Sequence, residues 1–254
     1  MRDILSRPSR PVLAQVAWSN VLVGLDFDGT LAPIVPRPGG AVLRSSTRRV
    51  LAELARLYPV VVVSGRARED VAARLAGVGV RYVIGNHGIE PGASTPRLRA
   101  LIAAWQSPLK AALASFRGVF VEDKTYSLAI HVRHCRTKRA AIAALRTATR
   151  RLGPHRWIGG REVVNLLPPG APHKGVALEQ ARRRLRCDTA LYVGDDETDE
   201  DVFALDQPGQ LLGIRVGRRA ASHAAYYVRD QRRVDELLRA LVVLRRQTAR
   251  SPAP

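Results

Sequence analysis

The fold of this chain is indicated first by residues 21–31, VLVGLDFDGTL, where an apolar run of strand length ends in a turn with two carboxylates. Two more apolar runs of strand length follow, at Val60–Val63 and Tyr82–Ile84. Helical spacing of apolar residues separates the three runs, at residues 47–57 and in the stretch that ends at Leu75. Polar residues gather where each run ends. This alternation predicts an α/β fold with a Rossmann-like, doubly wound parallel sheet.

The pattern changes after residue 88. The stretch that follows is bounded by Pro-Gly at 91–92 and by Pro-Pro-Gly at 168–170, which suit hinge-like joins. Its patterns predict strands at residues 116–122 and 127–133 on either side of a turn at 123–126. A helix at 140–152 and a strand at 161–167 are predicted to follow. Beyond it the alternation returns, with a helix at residues 175–185, a strand at 190–193 and an amphipathic helix at 234–244. We therefore expect a smaller α/β domain, residues 89–170, inserted into a core formed by residues 1–88 and 171–254.

The composition is typical of a globular protein, with 254 residues of which 46% are hydrophobic and 25% charged. No apolar run approaches the roughly 20 residues that span a bilayer, so we predict no membrane partner. The first twenty residues lack the cleavage site of a signal peptide and are predicted to form a helix or arm. For Cys135 and Cys187 we expect two reduced thiols, with a single disulfide as the alternative. These features predict a cytoplasmic protein.

The net charge of +19 raises the question of nucleic-acid binding. Only four of the 41 basic residues are lysines, and the arginines are spread along the chain without a Gly-rich or aromatic-interleaved tract. Genomic base composition and a binding surface would both produce this pattern. We therefore predict no nucleic-acid partner, although the positive charge suits an anionic small substrate.

Two aspartates, Asp26 and Asp28, directly follow the first predicted strand. The carboxyl end of a strand is where open α/β sheets bind ligands. Asp26 is suited to attack phosphorus as a covalent nucleophile, and Asp28 to protonate the leaving alkoxide and then deprotonate a water. Gly29 would let backbone amides close around an anion, and the Thr30 hydroxyl would add a hydrogen bond. Taken alone, the motif is also compatible with an exposed Asp-Gly turn.

A second group of carboxylates follows the strand predicted at 190–193, in the sequence GDDETDED at 194–201. Six acids in eight residues repel one another, which favours a bound cation, and Mg²⁺ prefers oxygen ligands. The alternative is an acid-rich helix N-terminus, which accounts for residues 197–201 but not for the first two aspartates. We predict a Mg²⁺ site whose ligands, direct or through water, are Asp26, the Asp28 carbonyl, Asp195, and Asp196 or Asp199.

Two further positions suit a phosphate site. Ser64 and Gly65 follow the second strand, where a hydroxyl and a backbone amide can bind a phosphoryl oxygen. Lys174 lies at the start of a predicted helix, where solvent would tolerate it and nothing structural requires it. Its charge would balance phosphate and aspartate during phosphoryl transfer. Four motifs in this order, at strand ends and helix starts, predict a site of phosphate chemistry.

The motifs resemble, in order, the four motifs of the haloacid dehalogenase superfamily of phosphotransferases: DFDGTL (26–31), VVSGR (62–66), Lys174 and GDDETDED (194–201). Longer segments are similar to trehalose-6-phosphate phosphatases: GNHGIE (85–90), VEDKTYSLAIHVR (121–133), HKG (173–175) and GDDETDEDVF (194–203). This resemblance covers residues 20–230. It implies a magnesium-dependent phosphatase that hydrolyses trehalose 6-phosphate through an aspartyl-phosphate, with a haloacid-dehalogenase-like core and a mobile inserted cap.

The resemblance also assigns roles to residues of the core. It implies that Asp26 is the nucleophile, that Asp28 is the acid/base, and that Lys174 belongs to the same catalytic group. It repeats the metal ligands predicted above. Phosphate contacts are implied for the side chains or backbone of Lys174, Thr30, Ser64 and Gly65.

Substrate contacts beyond the phosphate are implied at five further positions. Arg66, Asn86 and His87 would contact the substrate from the core. Glu122 and Lys124 match the cap residues that bind the distal sugar. For His87 the alternative is a capping histidine in a Gly-rich turn. For Glu122 and Lys124 it is a solvated hairpin pair, which stabilises little.

One position departs from the family pattern. Asn165 stands where the family usually has a glutamate as a third sugar-binding residue of the cap, and Glu162 would match only after a three-residue shift. An asparagine donates and accepts hydrogen bonds but carries no charge. Another sugar or cyclitol phosphate is therefore the alternative substrate, and a non-catalytic sugar-phosphate-binding protein is a further alternative. The partners implied are the sugar phosphate and, functionally, a trehalose-6-phosphate synthase.

Overall fold

The computed structural model describes residues 1–35, 38–92, 95–160, 162–205 and 209–248. The chain divides into two compact units, which we call unit 1 (Met1–Gly88 with His173–Pro254) and unit 2 (Ile89–Pro172). The inserted domain predicted from the sequence, residues 89–170, starts at the same residue as unit 2 and ends two residues before it.

The strands and helices are numbered along the chain. Within the described residues the strands are β1 (Arg2–Asp3), β2 (Val21–Leu25), β3 (Val60–Val63), β4 (Tyr82–Ile84), β5 (Phe120–Asp123), β6 (Leu128–His131), β7 (Arg156–Gly160), β8 (Val163–Leu167), β9 (Thr189–Gly194), β10 (Leu211–Val216) and β11 (Tyr226–Val228). The α-helices are α1 (Arg10–Trp18), α2 (Ser45–Leu57), α3 (Arg68–Arg74), α4 (Pro96–Leu113), α5 (Lys138–Thr149), α6 (Lys174–Arg184), α7 (Glu200–Phe203) and α8 (Arg232–Thr248).

Unit 1 is built on a seven-stranded sheet in the order β1-β11-β10-β9-β2-β3-β4, in which all neighbours are parallel. The central strands β2 and β3 are aliphatic and fully buried, as expected where both faces of a parallel sheet are covered. From the β2–β9 pair the chain continues outward in both directions. The crevice at the carboxyl ends of β2 and β9 is therefore a topological switch point.

Helices cover both faces of this sheet. On one face α1, α2, α3 and α8 pack against alternate strand residues such as Val23 and Val62. On the other face α6 and α7 pack against Leu22 and Val61. Successive side chains of a strand point to opposite faces, so each central strand contributes to two cores. The prediction of a doubly wound α/β fold is confirmed.

Unit 2 contains a four-stranded antiparallel sheet in the order β5-β6-β8-β7. Apolar side chains of α4 and α5 cover one face of it, where they pack on Leu128 and Ile130. The opposite face carries Glu122, Ala129 and Asn165, which lie in register across β5, β6 and β8. The insertion is thus itself an α/β unit with its own core.

Two elements of unit 2 are absent from the sequence prediction, α4 and β7. The 18-residue helix α4 has Pro108 inside it, and a proline there usually ends or kinks a helix. Its apolar residues nevertheless recur at helical spacing, a signal that the sequence prediction missed: Leu98, Ile102, Trp105, Leu109 and Leu113. In the fold, Trp105 and Leu109 bury this helix against the sheet. The helix therefore follows the apolar periodicity, and its packing outweighs the helix-breaking effect of the proline.

The predicted strands of unit 2 are longer than the observed ones. The strand predicted at 116–122 begins only at Phe120, because the residues before it form turns and Gly118 has a φ of 85°. The strand predicted at 161–167 begins at Val163, and Arg161 lies outside the described residues. Strand ends are set by pairing partners, which the sequence pattern does not show.

The N-terminal segment combines the predicted helix, α1, with a two-residue strand that pairs with β11 at the sheet edge. This strand is too short to show a periodic pattern, and β10 and β11 are likewise absent from the prediction. Cys135 and Cys187 are both free and buried, which confirms the expectation of two thiols. Among the described residues, no helix combines the length and the apolar character needed to cross a bilayer.

Candidate active site

Asp26 directly follows β2 at the switch point of unit 1, and it is only 4% exposed. Its backbone N–H donates to the Val193 carbonyl at 2.9 Å, so the pairing of β2 with β9 continues up to the turn. The turn contains Gly29, whose φ of 83° lies in the left-handed region that side chains rarely adopt. A Cβ atom on Gly29 would lie 2.2 Å from Asp195 Oδ2. Glycine therefore lets this turn approach residues 195–200, which we call the acidic loop.

Lys174 joins two of the predicted carboxylates. Its Nζ donates to Asp26 Oδ1 at 2.7 Å and to Asp199 Oδ1 at 2.8 Å, and all three side chains are buried. Burial alone would lower the pKa of Lys174, but the charges and hydrogen bonds of Asp199 and Asp26 raise it above its ordinary value. The expectation that this lysine is solvent-tolerated and structurally unneeded is wrong. The site holds it as a permanent cation.

Three carboxylates meet beside this lysine. One oxygen from each of Asp26, Asp195 and Asp199 lies within 4.8 Å of the other two. Burial, followed by repulsion from Asp199 and Asp196, raises the pKa of Asp195 to about 7, although Lys174 acts against it. Burial also raises the pKa of Asp26 well above its usual value; Lys174 lowers it, and Asp199 and Asp195 raise it further. A divalent cation would relieve this repulsion, so the donor set fits Mg²⁺.

Asp199 and Asp196 also have structural roles in the acidic loop. Asp199 Oδ1 accepts from Lys174 and from the Tyr192 hydroxyl (2.7 Å), and its Oδ2 accepts from the Asp196 N–H (2.8 Å). Asp196 Oδ1 in turn accepts from the Glu197 N–H at 2.7 Å, so the two aspartates form a capping box. The alternative interpretation, an acid-rich helix N-terminus, therefore accounts for Asp196 as well as Asp199, and the expectation that it leaves Asp196 unexplained is wrong. Asp196 lies outside the group of three.

The turn after Asp26 is anchored from two sides. The Thr30 hydroxyl, for which a phosphate contact is expected, donates to Asp195 Oδ1 at 3.2 Å. The Gln231 amide, just before α8, donates to the Thr30 and Leu31 carbonyls at 3.0 and 3.1 Å. These contacts keep the turn close to the acidic loop.

Asp28 forms a two-point ion pair with Arg66. Arg66 Nε and Nη2 donate to Asp28 Oδ2 and Oδ1 at 2.6 and 2.7 Å, and Nη1 donates to Asp70 at 2.9 Å. Such paired hydrogen bonds fix the plane of the carboxylate. Arg66 therefore orients the predicted acid/base, in addition to the substrate contact expected for it.

The remaining core residues lie at the ends of β3 and β4. The Ser64 hydroxyl accepts from the Arg66 N–H at 3.2 Å, and the Ser64 carbonyl accepts from the His87 N–H at 2.9 Å. A Cβ atom on Gly65 would lie 2.4 Å from His87 Cε1, so a larger residue would displace that ring. Asn86 and His87 have φ values of 49° and 58°. Two adjacent side-chain-bearing residues in the left-handed region are strained, and such strain often marks a functional site.

Three residues of this site are absent from the sequence prediction: Tyr192, Gln231 and Arg215. Tyr192 and Arg215 each carried a signal, since each is a large side chain with a polar group in a mainly aliphatic strand, TALYVG and LLGIRV. Gln231 carried none, because a glutamine before a surface helix is ordinary. Arg215 is 6% exposed and donates to the carbonyls of the acidic loop.

Comparisons with known proteins show the family to which this chain belongs. A family model described as trehalose-phosphatase matches residues 24–235. The chain belongs to the trehalose-phosphatase family. It is similar to trehalose 6-phosphate phosphatase RA3 of Zea mays, with 31% identity over 95% of this chain and 74% of that protein. It is 34% identical to a trehalose-phosphate phosphatase of Mycolicibacterium paratuberculosis, over 79% of this chain and 55% of that protein.

Solved structures show the same fold. The C-terminal domain of Candida albicans trehalose-6-phosphate phosphatase gives a TM-score of 0.75 at 21% identity, over 92% of this chain and 96% of that one. A trehalose-6-phosphate phosphatase related protein gives a TM-score of 0.73 at 22% identity, over 89% of this chain and 99% of that one. The resemblance to trehalose-6-phosphate phosphatases inferred from the motifs is confirmed, and the chain is a phosphoric monoester hydrolase of the trehalose-phosphatase family.

The sugar-binding residues expected from the trehalose-phosphatase resemblance belong to unit 2. Glu122 Oε2 is 2.8 Å from His131 Nε2 on the neighbouring strand. Lys124 lies in the hairpin, where its N–H donates to the Ser127 carbonyl at 3.0 Å. Asn165 is 6% exposed, and its Oδ1 is buried without a hydrogen-bond partner among the described residues. An unpaired buried acceptor is costly, and a hydroxyl donor from a ligand would satisfy it.

Proposed function

We propose that this chain hydrolyses trehalose 6-phosphate to trehalose and inorganic phosphate, with Asp26 as the covalent nucleophile. The observation that carries the proposal is the buried contact of Lys174 with Asp26 and Asp199, beside Asp195, at the switch point of the parallel sheet. Such a constellation suits phosphoryl transfer, which depends on positioning and electrostatic stabilisation. Membership of the trehalose-phosphatase family supports it.

The reaction divides between two aspartates. In the first step an Asp26 oxygen bonds to phosphorus, the bond from phosphorus to the sugar oxygen breaks, and Asp28 gives its proton to that oxygen. In the second step Asp28 takes a proton from water, the water oxygen bonds to phosphorus, and the bond to Asp26 breaks. Lys174 holds Asp26 Oδ1 at 2.7 Å, which orients the nucleophile and offsets its charge.

The other core residues bind and orient. We propose that Ser64, Gly65 and Thr30 contact the phosphate and that Arg66, Asn86 and His87 contact the substrate. Mg²⁺, when bound by Asp26, the Asp28 carbonyl and Asp195, with Asp196 or Asp199 in support, would neutralise the charge of the phosphate and the carboxylates.

We propose that the inserted domain is a cap that binds the sugar through Glu122, Lys124 and Asn165. This domain is unit 2 (Ile89–Pro172) and was predicted from the sequence as residues 89–170. Glu122 and Asn165 lie two strands apart in register, or roughly 10 Å, which suits contacts with separate hydroxyls of one sugar. We place the enzyme in the cytoplasm, where it would act on the product of a trehalose-6-phosphate synthase. The two free buried thiols fit a reducing compartment.

Phosphate release from trehalose 6-phosphate, with and without Mg²⁺, tests the reaction. The Asp26→Asn variant should lower kcat by at least about a thousandfold, because an amide is not a nucleophile here. Asp188→Asn, just before the other end of β9, is the matched control and should retain activity. Undiminished turnover by Asp26→Asn would exclude the covalent mechanism.

A second candidate substrate is another sugar or cyclitol phosphate, which Asn165 favours because the usual glutamate is missing. Trehalose 6-phosphate should give the highest kcat/KM in a panel that includes sucrose, glucose and inositol phosphates. The Asn165→Ala variant should raise KM for trehalose 6-phosphate roughly tenfold with little change in kcat, since a uniform binding contact is lost. A preference for a different phosphate ester would support the second candidate.

A further inference from the structure

Arg215 is a buried cation near the carboxyl end of β10 in unit 1. It lies on β10 opposite Gly194 of β9, and it is 6% exposed. The other residues of this strand, LLGIRV, are aliphatic or glycine. Burying an arginine costs several kcal/mol unless good hydrogen bonds compensate. Its presence here therefore points to a specific set of partners.

Those partners belong to the acidic loop. Arg215 Nη2 donates to the Asp195 carbonyl, and Nη1 donates to the Asp196 carbonyl at 3.2 Å. Nη1 also donates to Glu200 Oε1 at 2.7 Å. The guanidinium thus binds the backbone, rather than the carboxylates, of the first two aspartates. Planar, multi-donor geometry of this kind is available to arginine and not to lysine.

Glu200 extends the contact to the next loop. Its Oε2 accepts from the His223 N–H at 2.9 Å and from the Ser222 hydroxyl at 3.2 Å. The acidic loop and the segment that follows β10 are therefore joined through one glutamate and one arginine. Neither side chain belongs to the group of three carboxylates near Lys174.

The contacts of Arg215 oppose the mutual repulsion of the carboxylates in the site. The carboxylates of Asp26, Asp195 and Asp199 lie within 4.8 Å of one another, and their repulsion would push the acidic loop away from β2. The Thr30 hydroxyl donates to the Asp195 side chain, and the Arg215 guanidinium donates to the Asp195 backbone carbonyl. With both ends of the residue bound, the direction of the carboxylate is set before any ligand arrives.

We propose that Arg215 is a positioning residue that fixes the backbone of Asp195 and Asp196, so that the Asp195 carboxylate is preorganised for a divalent cation. This inference rests on the proposed metal site. It predicts that loss of the guanidinium weakens Mg²⁺ binding without touching the substrate.

The chain offers a matched control in Arg182. This arginine also donates to two consecutive carbonyls, those of Cys187 and Asp188 (both 2.9 Å), and pairs with Glu179 at 2.8 Å. It lies before the amino end of β9, whereas Arg215 lies at the carboxyl end. The strand has six residues, so the two ends are roughly 20 Å apart. Arg182→Gln removes the same kind of contact away from the acidic loop.

The test uses hydrogen exchange on the metal-free protein and calorimetric titration with Mg²⁺, both without substrate. Arg215→Gln should accelerate amide exchange in residues 195–200 and weaken Mg²⁺ binding about tenfold, which corresponds to about 1.4 kcal/mol. Arg182→Gln should accelerate exchange near residues 186–189 and leave Mg²⁺ affinity unchanged. Arg215→Lys should recover only part of the affinity, because a compact ammonium lacks the planar fork with which two guanidinium nitrogens bind separate oxygens.

Several outcomes would overturn the inference. Unchanged exchange in the acidic loop of Arg215→Gln would show that the contacts do not order it. Faster exchange with wild-type Mg²⁺ affinity would reduce Arg215 to a purely structural role. A wild-type protein that binds no Mg²⁺ would instead reject the proposed metal site, and the inference with it; this result is distinguishable because the wild-type titration alone reveals it.

Discussion

Lys174 is enclosed by Asp26 and Asp199, and its side chain is 2% exposed. Taking these charges out of water costs several kcal/mol per ion, and close pairing offsets the cost only while all partners are present. A compact ammonium fits between two carboxylates, whereas a planar guanidinium needs more width. The same contact that neutralises the buried charge also holds Asp26, the proposed nucleophile, in one orientation.

Replacing this lysine should therefore damage stability and catalysis together. We expect Lys174→Met to lower the free energy of unfolding by about 3–5 kcal/mol, because two buried carboxylates lose their cation. We also expect kcat to fall at least about a hundredfold, since Asp26 is no longer oriented. Urea unfolding and phosphate release measure the two effects.

Lys138→Met is the control for that experiment. Lys138 pairs with Glu162, but the two side chains are 40% and 37% exposed. An ion pair this exposed to solvent stabilises the fold little, so this variant should unfold nearly like the wild type and retain activity. Equal losses of stability in both lysine variants would contradict the assignment of Lys174 as a buried structural cation.

At the scale of elements, β9 connects the core of unit 1 to the candidate active site. Its residues are buried on both faces, and its carboxyl end leads directly into the acidic loop. Tyr192 on this strand reaches Asp199, and Gly194 lies against the same carboxylate. A Cβ atom on Gly194 would be 2.2 Å from Asp199 Cγ. The strand therefore requires the absence of a side chain at its last position.

We expect Gly194→Ala to push Asp199 away and to loosen Lys174. The overpacking should cost about 1–3 kcal/mol of stability. The loss of orientation at Lys174 should lower kcat roughly a hundredfold, while KM changes little. Steady-state kinetics and thermal unfolding check both effects.

Gly159→Ala on β7 is the matched substitution. This glycine also lies in a strand, but a Cβ atom there would meet nothing within 4 Å. Stability and kcat should stay close to the wild-type values. If Gly194→Ala behaved the same way, the close approach to Asp199 would have no functional consequence.

At the scale of the whole molecule, the dominant property is the net charge of +19. The reactive carboxylates occupy a small buried region, whereas most arginines are spread over the chain. A field of this sign attracts a phosphate ester from solution and offsets the repulsion that the acidic site would exert on it. Salt screens this attraction over distances of about 10 Å at moderate ionic strength.

The value of kcat/KM should therefore fall as salt is added. We expect a decrease of roughly fivefold between about 20 and about 300 mM KCl, because steering of the anionic substrate is screened. The value of kcat at saturating substrate should stay nearly constant, which serves as the internal control. A parallel fall in kcat would indicate that salt acts on the chemistry or on folding instead of on encounter.

The sequence alone predicted the parallel core, because its strands are short, apolar and separated by helical patterns. It also predicted that polar residues at several strand ends would meet, and the structure brings Asp26, Asp195 and Asp199 together. This succeeded because the carboxyl ends of parallel strands share one edge of the sheet. It did not predict α4, where Pro108 lies inside an otherwise regular apolar stripe, or β1, whose two residues pair with β11.

Residue patterns along the chain are enough to identify the fold class, the family and the types of reactive group available. Which group faces which follows from the packing of the folded chain: Lys174 between two aspartates, Arg66 on Asp28, and Arg215 on the carbonyls of the acidic loop. Each of these contacts joins residues that are distant along the chain. Their geometry depends on packing and side-chain direction, which local sequence patterns do not encode.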